Sequence, residues 1–172
     1  MYKMIDLAQL KEFVITPALN DIQMYSDDAL ELLVFTAAVE SDLGTYLKQI
    51  NGPALGIYQM EPKTHDDIWF NYLRYQQHIT HRMALKFGIP VVPEADRLIW
   101  DLRYATIMAR LLYSRNPEKL PSKDDPQALY EYYKTYYNTK SGKATEAASL
   151  KKYKKFTQKA SSQKETAATA QD

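Results

Sequence analysis

Cysteine is absent from the 172-residue chain, which excludes disulfides, thiolate nucleophiles and cysteine-ligated metals. The compartment stays open, because a cysteine-free chain tolerates either redox environment. Glycine is scarce, at five residues, while Leu, Ala, Lys, Gln and Tyr are plentiful. That balance favours helices over a sandwich or barrel. Neither sign of charge dominates: 22 Lys and Arg face 21 Asp and Glu, for a net charge of +1. A nucleic-acid binder carries a larger basic excess, so nucleic acid is not an expected partner. Long apolar runs are missing too. The longest, around Leu32 to Val39, is far too short to span a bilayer. Met1 to Asp6 lacks a basic stretch followed by an apolar one, so no signal peptide is expected. Phosphate-binding glycine loops, internal repeats and a recognisable Ser/His/Asp arrangement are not apparent.

What remains is a chain that is 45% hydrophobic and 25% charged, the ordinary composition of one globular domain. That domain is expected over residues 1–156. Residues 157–172 are Ser, Thr, Ala, Gln and Lys with no apolar stripe, and such a tail is expected to be disordered in isolation.

Local signals divide the domain into helices. Asp6 can cap a short helix through Phe13, and Thr16-Pro17 reads as the start of a second segment to about Met24. Ser26-Asp27-Asp28 opens the next, with Leu30, Leu33, Val34, Ala37 and Ala38 at helical spacing. Three of the five glycines, with Pro53 and Pro62, fall between residues 44 and 62, which predicts a loop-rich stretch with at most a small β element. A helical stretch over 65–87, with a break near Asn71, is closed by Gly88 and Pro90. Pro93 and Asp101 open two more helices, Pro126 opens one to about Tyr137, and Thr145 caps a last one to about Phe156. The fold class is therefore mainly α.

Glu40 is the residue that this pattern marks for chemistry. It continues the face Leu33–Ala37–Glu40, at the C-terminal end of an apolar stripe. Partial burial and the negative helix end both disfavour its ionised form, so its pKa should rise. A carboxyl that stays protonated near neutral pH is what a general acid requires. A partly exposed glutamate at a helix end is the plain alternative.

The surrounding motifs favour the first reading. Glu40-Ser41 is followed by Gly52, Ala54, Gly56, Gln59, Pro62 and Thr64, and much later by Tyr136-Tyr137-Asn138-Thr139 with Gly142. In this order and spacing they resemble the soluble lytic transglycosylases, relatives of goose-type lysozyme. That family carries Glu-Ser at a helix end, a Gly-Ala-x-Gly-Leu-Met-Gln-x-x-Pro-x-Thr stretch, and an Ala-Tyr-Asn-Ala-Gly element. The resemblance spans about residues 26 to 145. It implies a lysozyme-like fold and cleavage of the bond between N-acetylmuramic acid and N-acetylglucosamine in peptidoglycan, without cofactor or metal. Glu40 would protonate the leaving oxygen, then accept the proton of the sugar 6-hydroxyl as a 1,6-anhydro ring closes. Ser41 would position Glu40 or bind a sugar acetamido group. Gln59 would reach into the cleft, Tyr137 would hydrogen-bond Glu40, and Asn138 would fix the local turn or contact substrate. Gly56 would let backbone approach the saccharide, and Tyr58 is either cleft wall or packing. Departures are Ile57 and Tyr58 in place of Leu-Met, an extra carboxylate at Glu61, and Thr139-Lys140 in place of Ala-Gly.

A hydrolase of the same bond would want a second carboxylate. Asp42, Glu61, Asp66 and Asp67 are the candidates by proximity in sequence, and Asp66-Asp67 most simply open a helix. His78 and His81 lie three apart and read as surface histidines, not as a metal pair. Lys151-Lys152-Tyr153-Lys154-Lys155 reads as a solvated helix face, or as a site for anionic wall polymers. Weaker likenesses, at Asp66–Trp69, Tyr104–Thr106 and Tyr137–Lys143, are to peptidoglycan-cleaving proteins of phages and prophages. They imply a virion protein of the tail or ejected core that acts on the cell wall in the periplasm. The alternatives are a structural virion component of this fold with little activity, assembling with itself or other virion proteins, and a bacterial enzyme with its own export route.

Overall fold

The computed structural model describes residues 5–138 and 142–169, with side chains through Gln158. The protein is mainly helical, and the described residues contain no β-strand, only isolated bridges between Lys48 and Leu55 and between Leu55 and Met60.

The first helical stretch runs without a break, as α1 (Leu7–Gln9), a π-helical segment (Leu10–Ile15) and α2 (Thr16–Asp21). Asp6 caps it, accepting from the Gln9 N–H at 3.1 Å. The break expected at Thr16-Pro17 is not there. Pro17 has no N–H to give to the Phe13 carbonyl. The backbone widens over the preceding turn, and Phe13 O accepts instead from Arg103 Nε and Nη2 at 3.3 and 3.2 Å. A tertiary cation thus satisfies the carbonyl that proline leaves open.

Helix α3 (Asp27–Ser41) is the central element. Ser26 accepts from Ala29 N–H at 3.0 Å, and Asp27 and Asp28 occupy the favourable first turn. Every residue from Leu32 to Val39 is buried. The helix is enclosed on all sides, not only along the stripe that spacing predicts. Its buried hydroxyl, Thr36, donates to Leu32 O and meets Tyr113 Oη, both at 2.8 Å.

Beyond the glycine-rich loop come α4 (Pro62–Asn71), a single 3₁₀ turn (Leu73–Tyr75) and α5 (Gln77–Phe87), which confirm the break near Asn71. Gly88, in a left-handed conformation, ends α5 as expected, and Ile89 N–H reaches back to Met83 O at 3.3 Å. The helix expected from Pro93 is only a short α6 (Arg97–Trp100). Asp101 then caps α7 (Leu102–Ser114), and Asp125 caps α8 (Pro126–Tyr133). From Lys134 to Asn138 the chain is π-helical.

The terminal helix α9 (Glu146–Thr169) packs on α3 and α8. Tyr153 anchors it, stacking near Phe35 at 5.2 Å and donating to Glu31 Oε1 at 2.7 Å. Glu31 also holds Lys11 at 2.6 Å, so one half-buried carboxylate joins the first helix, α3 and α9. The last helix, expected to end near Phe156, instead runs to Thr169. Its docked first half nucleates it, and the Ala, Lys, Gln and Glu that follow propagate a helix at little cost. Residues 170–172 lie outside the described residues.

Candidate functional site

The C-terminal end of α3 opens into a cleft of about 810 Å³. After Ser41 the chain reverses through three consecutive left-handed residues, Asp42 (φ 50°), Leu43 (φ 51°) and Gly44 (φ 79°). Ser41 holds this reversal. Its hydroxyl accepts from Gly44 N–H at 2.9 Å and donates to Ile57 O at 2.6 Å. The loop is thereby stapled to the helix end, and the next cleft wall follows at Gln59, Met60 and Glu61.

Glu40 is half-buried and faces this cleft. Burial raises its pKa, while a hydrogen bond from Tyr133, the charge of Lys152 and a hydrogen bond involving Asn138 each oppose part of that rise. Tyr133 Oη donates to Glu40 Oε1 at 2.5 Å. The result is a carboxyl held more protonated than usual, in a fixed orientation, with a donor already in place for its ionised form.

The hydrogen bond expected from Tyr137 is therefore corrected. Tyr137 Oη donates to the Tyr58 carbonyl at 2.8 Å, and the two rings, Tyr133 and Tyr137, stack at 6.1 Å. Tyr133 and Tyr137 are four residues apart, so both occupy nearly the same helix face. The π-helical turn after Tyr133 then shifts the phase, leaving Tyr133 on the carboxylate and Tyr137 on the loop. Tyr137 still lines the cleft, as do Gln59 and Asn138.

Gln59 sits at φ 47°, and its amide donates to Gly56 O at 2.8 Å and Tyr46 O at 3.3 Å. Both donors point back into the loop, which leaves its carbonyl oxygen as the acceptor it can offer a ligand. Asn138 accepts from Lys134 Nζ at 2.8 Å, and the same ammonium reaches Gly142 O at 2.7 Å. Thr139 and Lys140 lie outside the described residues.

Three other sequence candidates stand behind the cleft wall. Ser41 is 1% exposed and spent on the loop staple. Tyr58 is also 1% exposed, its hydroxyl 3.1 Å from Thr106 Oγ1, and burial pushes its phenol well above the ordinary value. Gly56 faces the carbonyl of Leu98, where a Cβ would lie at 2.2 Å. Its role is close packing against α6, in place of the expected approach to saccharide. Ser41 and Tyr58 are thus packed behind the wall, and Gly56 is held against α6.

Among the second carboxylates, Glu61 lines the cleft and pairs with Lys63 at 3.0 Å. Asp42 lies 3.4 Å from Lys152. Asp66 contacts the buried His65 at 2.8 Å, and Asp67 binds Asn71 and Arg115. His78 and His81 are exposed along α5. Among the described residues no group of three or more His, Asp or Glu could hold a metal ion, and no helix is long and apolar enough to cross a membrane.

Sequence reasoning missed Tyr133 and Lys152. Tyr133 belongs to an aromatic run in which spacing alone cannot rank members, and Lys152 belongs to a lysine cluster that reads as solvated. Tyr133→Phe removes the donor to the Glu40 carboxylate and should raise the Glu40 midpoint. Tyr137→Phe should raise it less. A carbon-13 titration of the carboxyls in the two variants checks the order, and the reverse order would restore Tyr137 to the carboxyl.

No family model, curated protein or solved structure matches the chain.

Proposed function

We propose that the protein is a peptidoglycan lytic transglycosylase of lysozyme-like fold, with Glu40 as the single general acid and base. The observation that carries this is the setting of Glu40. A carboxyl at the end of a buried helix faces a cleft, its pKa raised by burial and its orientation fixed by Tyr133. The order of the Glu40-Ser41, Gly56–Gln59 and Tyr137-Asn138 elements supplies the substrate class by resemblance.

In the first half-reaction Glu40 gives its proton to the glycosidic oxygen, and the bond to the muramic acid anomeric carbon breaks. Tyr133 stabilises the carboxylate so formed. In the second half the 6-hydroxyl of the same sugar attacks that carbon, its proton passes to Glu40, and the 1,6-anhydro ring closes. No water is consumed, and Glu40 ends as it began. Gln59 and Asn138 would hold the glycan, and the protein would act as part of a phage virion that opens the wall. One observation favours a hydrolase of the same bond: Glu61 lines the same cleft and could direct a water.

Mass spectrometry of digested cell walls separates these readings. Anhydro-muropeptides are the expected product. Reducing ends with no anhydro form would convert the assignment to hydrolysis, and an undigested wall would leave a structural role.

A further inference from the structure

The cleft has a fourth wall that the motifs do not contain. It comes from α9, which places Ser149 and Lys152 on the face turned toward Glu40. Lys152 lies more than a hundred residues beyond Glu40 in sequence, yet its ammonium donates to the Val39 carbonyl at 2.9 Å and lies 3.4 Å from Asp42 Oδ1. Those two contacts flank Glu40 on the chain. Val39 O belongs to the last turn of α3, where carbonyls lack helical partners and the helix presents its negative end.

We propose that Lys152 is a positioning residue for Glu40: it ties the final turn of α3 to α9 and fixes one cation beside the carboxyl. The inference rests on the reading of Glu40 as the acid. Three physical arguments support it. First, the contact supplies a donor to an otherwise unpaired helix-end carbonyl, so the backbone carrying Glu40 cannot fray. Second, the ammonium neutralises Asp42, a carboxylate two residues from Glu40 whose bare charge would disfavour ionisation of Glu40. Third, α9 is firmly held at that point, because Tyr153, the next residue, is buried against Phe35 and bonded to Glu31.

The field at Glu40 has contributions from each neighbouring element. Tyr133 and Tyr137 face it from the α8 side and Tyr113 from α7, all with phenols pushed up by burial and neutral. Glu61, Lys63 and Lys143 stand at the cleft rim. Lys152 is the cation that acts directly on Glu40, lowering its pKa against the larger effect of burial. Without it, Glu40 would hold its proton to higher pH. More of it would arrive protonated near neutral pH, but as a weaker acid, and its carboxylate would be the stronger base.

The test is a carbon-13 titration of the glutamate carboxyls in the full chain, with Glu40 assigned by its loss in Glu40→Gln. Lys152→Met should move the Glu40 midpoint upward by about half a pH unit or more. Lys152→Gln keeps an N–H donor without the charge and should give the same upward shift. Lys152→Arg should leave the midpoint near wild type. If Lys152→Met does not fold, Lys152→Gln decides. An unmoved midpoint in a folded uncharged variant overturns the proposal, and so does an equal shift in Lys152→Arg. The titration reads the carboxyl whether or not the protein cleaves glycan, so its failure is distinguishable from failure of the proposed activity.

Discussion

Glu40→Gln should abolish the proposed clearing of purified cell walls, by about 10²- to 10⁴-fold, while the fold is kept. The amide has nearly the shape of the acid, and its oxygen can still accept from Tyr133. What it lacks is a proton to give and a lone pair basic enough to take one back, so both halves of the proposed reaction would stop. The same change carries a stability signature that activity assays do not see. Burial raises the Glu40 pKa in the folded state, so the folded protein binds that proton more tightly than the unfolded chain does. A raised carboxyl pKa therefore removes stability as pH rises from the unfolded carboxyl value toward the folded one, and the loss is complete above both. Glu40→Gln, neutral throughout, should melt higher than wild type at pH 7, and the gap should close near pH 4. Thermal unfolding at the two pH values checks this. Retained lysis in the variant would remove Glu40 from the reaction, whereas equal melting at both pH values would contradict its buried, proton-holding setting. The two readouts are independent, so a structural protein without activity would still show the second.

The pattern of what could be read from sequence follows the range of the interaction. Caps are local, and Ser26, Gly88, Asp101 and Asp125 mark helix ends because side chain and backbone partner lie within a few residues. The two π-helical turns escape such reading. One answers to Pro17 together with Arg103, a residue on α7, and that pairing is invisible to a local window. The other separates Tyr133 from Tyr137, which a regular helical period would treat alike. Glu40 was legible because its pKa argument needs only its own helix. Lys152 was not, because it reaches Glu40 only once α9 has docked. For Ser41 and Tyr58 the motif leaves two readings open, support of the site or contact with substrate, and for Gly56 it implies approach to the saccharide. The structure gives them the task of building the loop that presents Gln59 and Glu61.

Gly56→Ala should therefore be far more damaging than its size suggests, destabilising by about 3 kcal/mol or more. Two costs combine. Gly56 sits at φ +76°, in the left-handed region that costs an L-residue roughly 1–2 kcal/mol. The new methyl would also meet Leu98 O at 2.2 Å and Leu98 C at 2.9 Å, which are backbone atoms with no rotamer to turn aside. Leu98 lies in α6, whose Arg97 side chain is held by Asp101 at 2.8 Å and by Phe87 O at 3.1 Å. The loop must then move instead. Its link to Leu47, from Gly56 N–H at 2.8 Å, and the Gln59 amide bond to Gly56 O would be disturbed together. For a chain of this length the melting temperature should fall by roughly 10 °C. Gly88→Ala supplies the control. Gly88 has a similar φ of +61°, but nothing lies within 4 Å of its Cβ position. It should lose only the backbone cost of about 1 kcal/mol. Equal losses in the two variants would mean that the Leu98 contact is unimportant. A larger loss at Gly56 would show that the loop that carries Gln59 depends on its packing against α6.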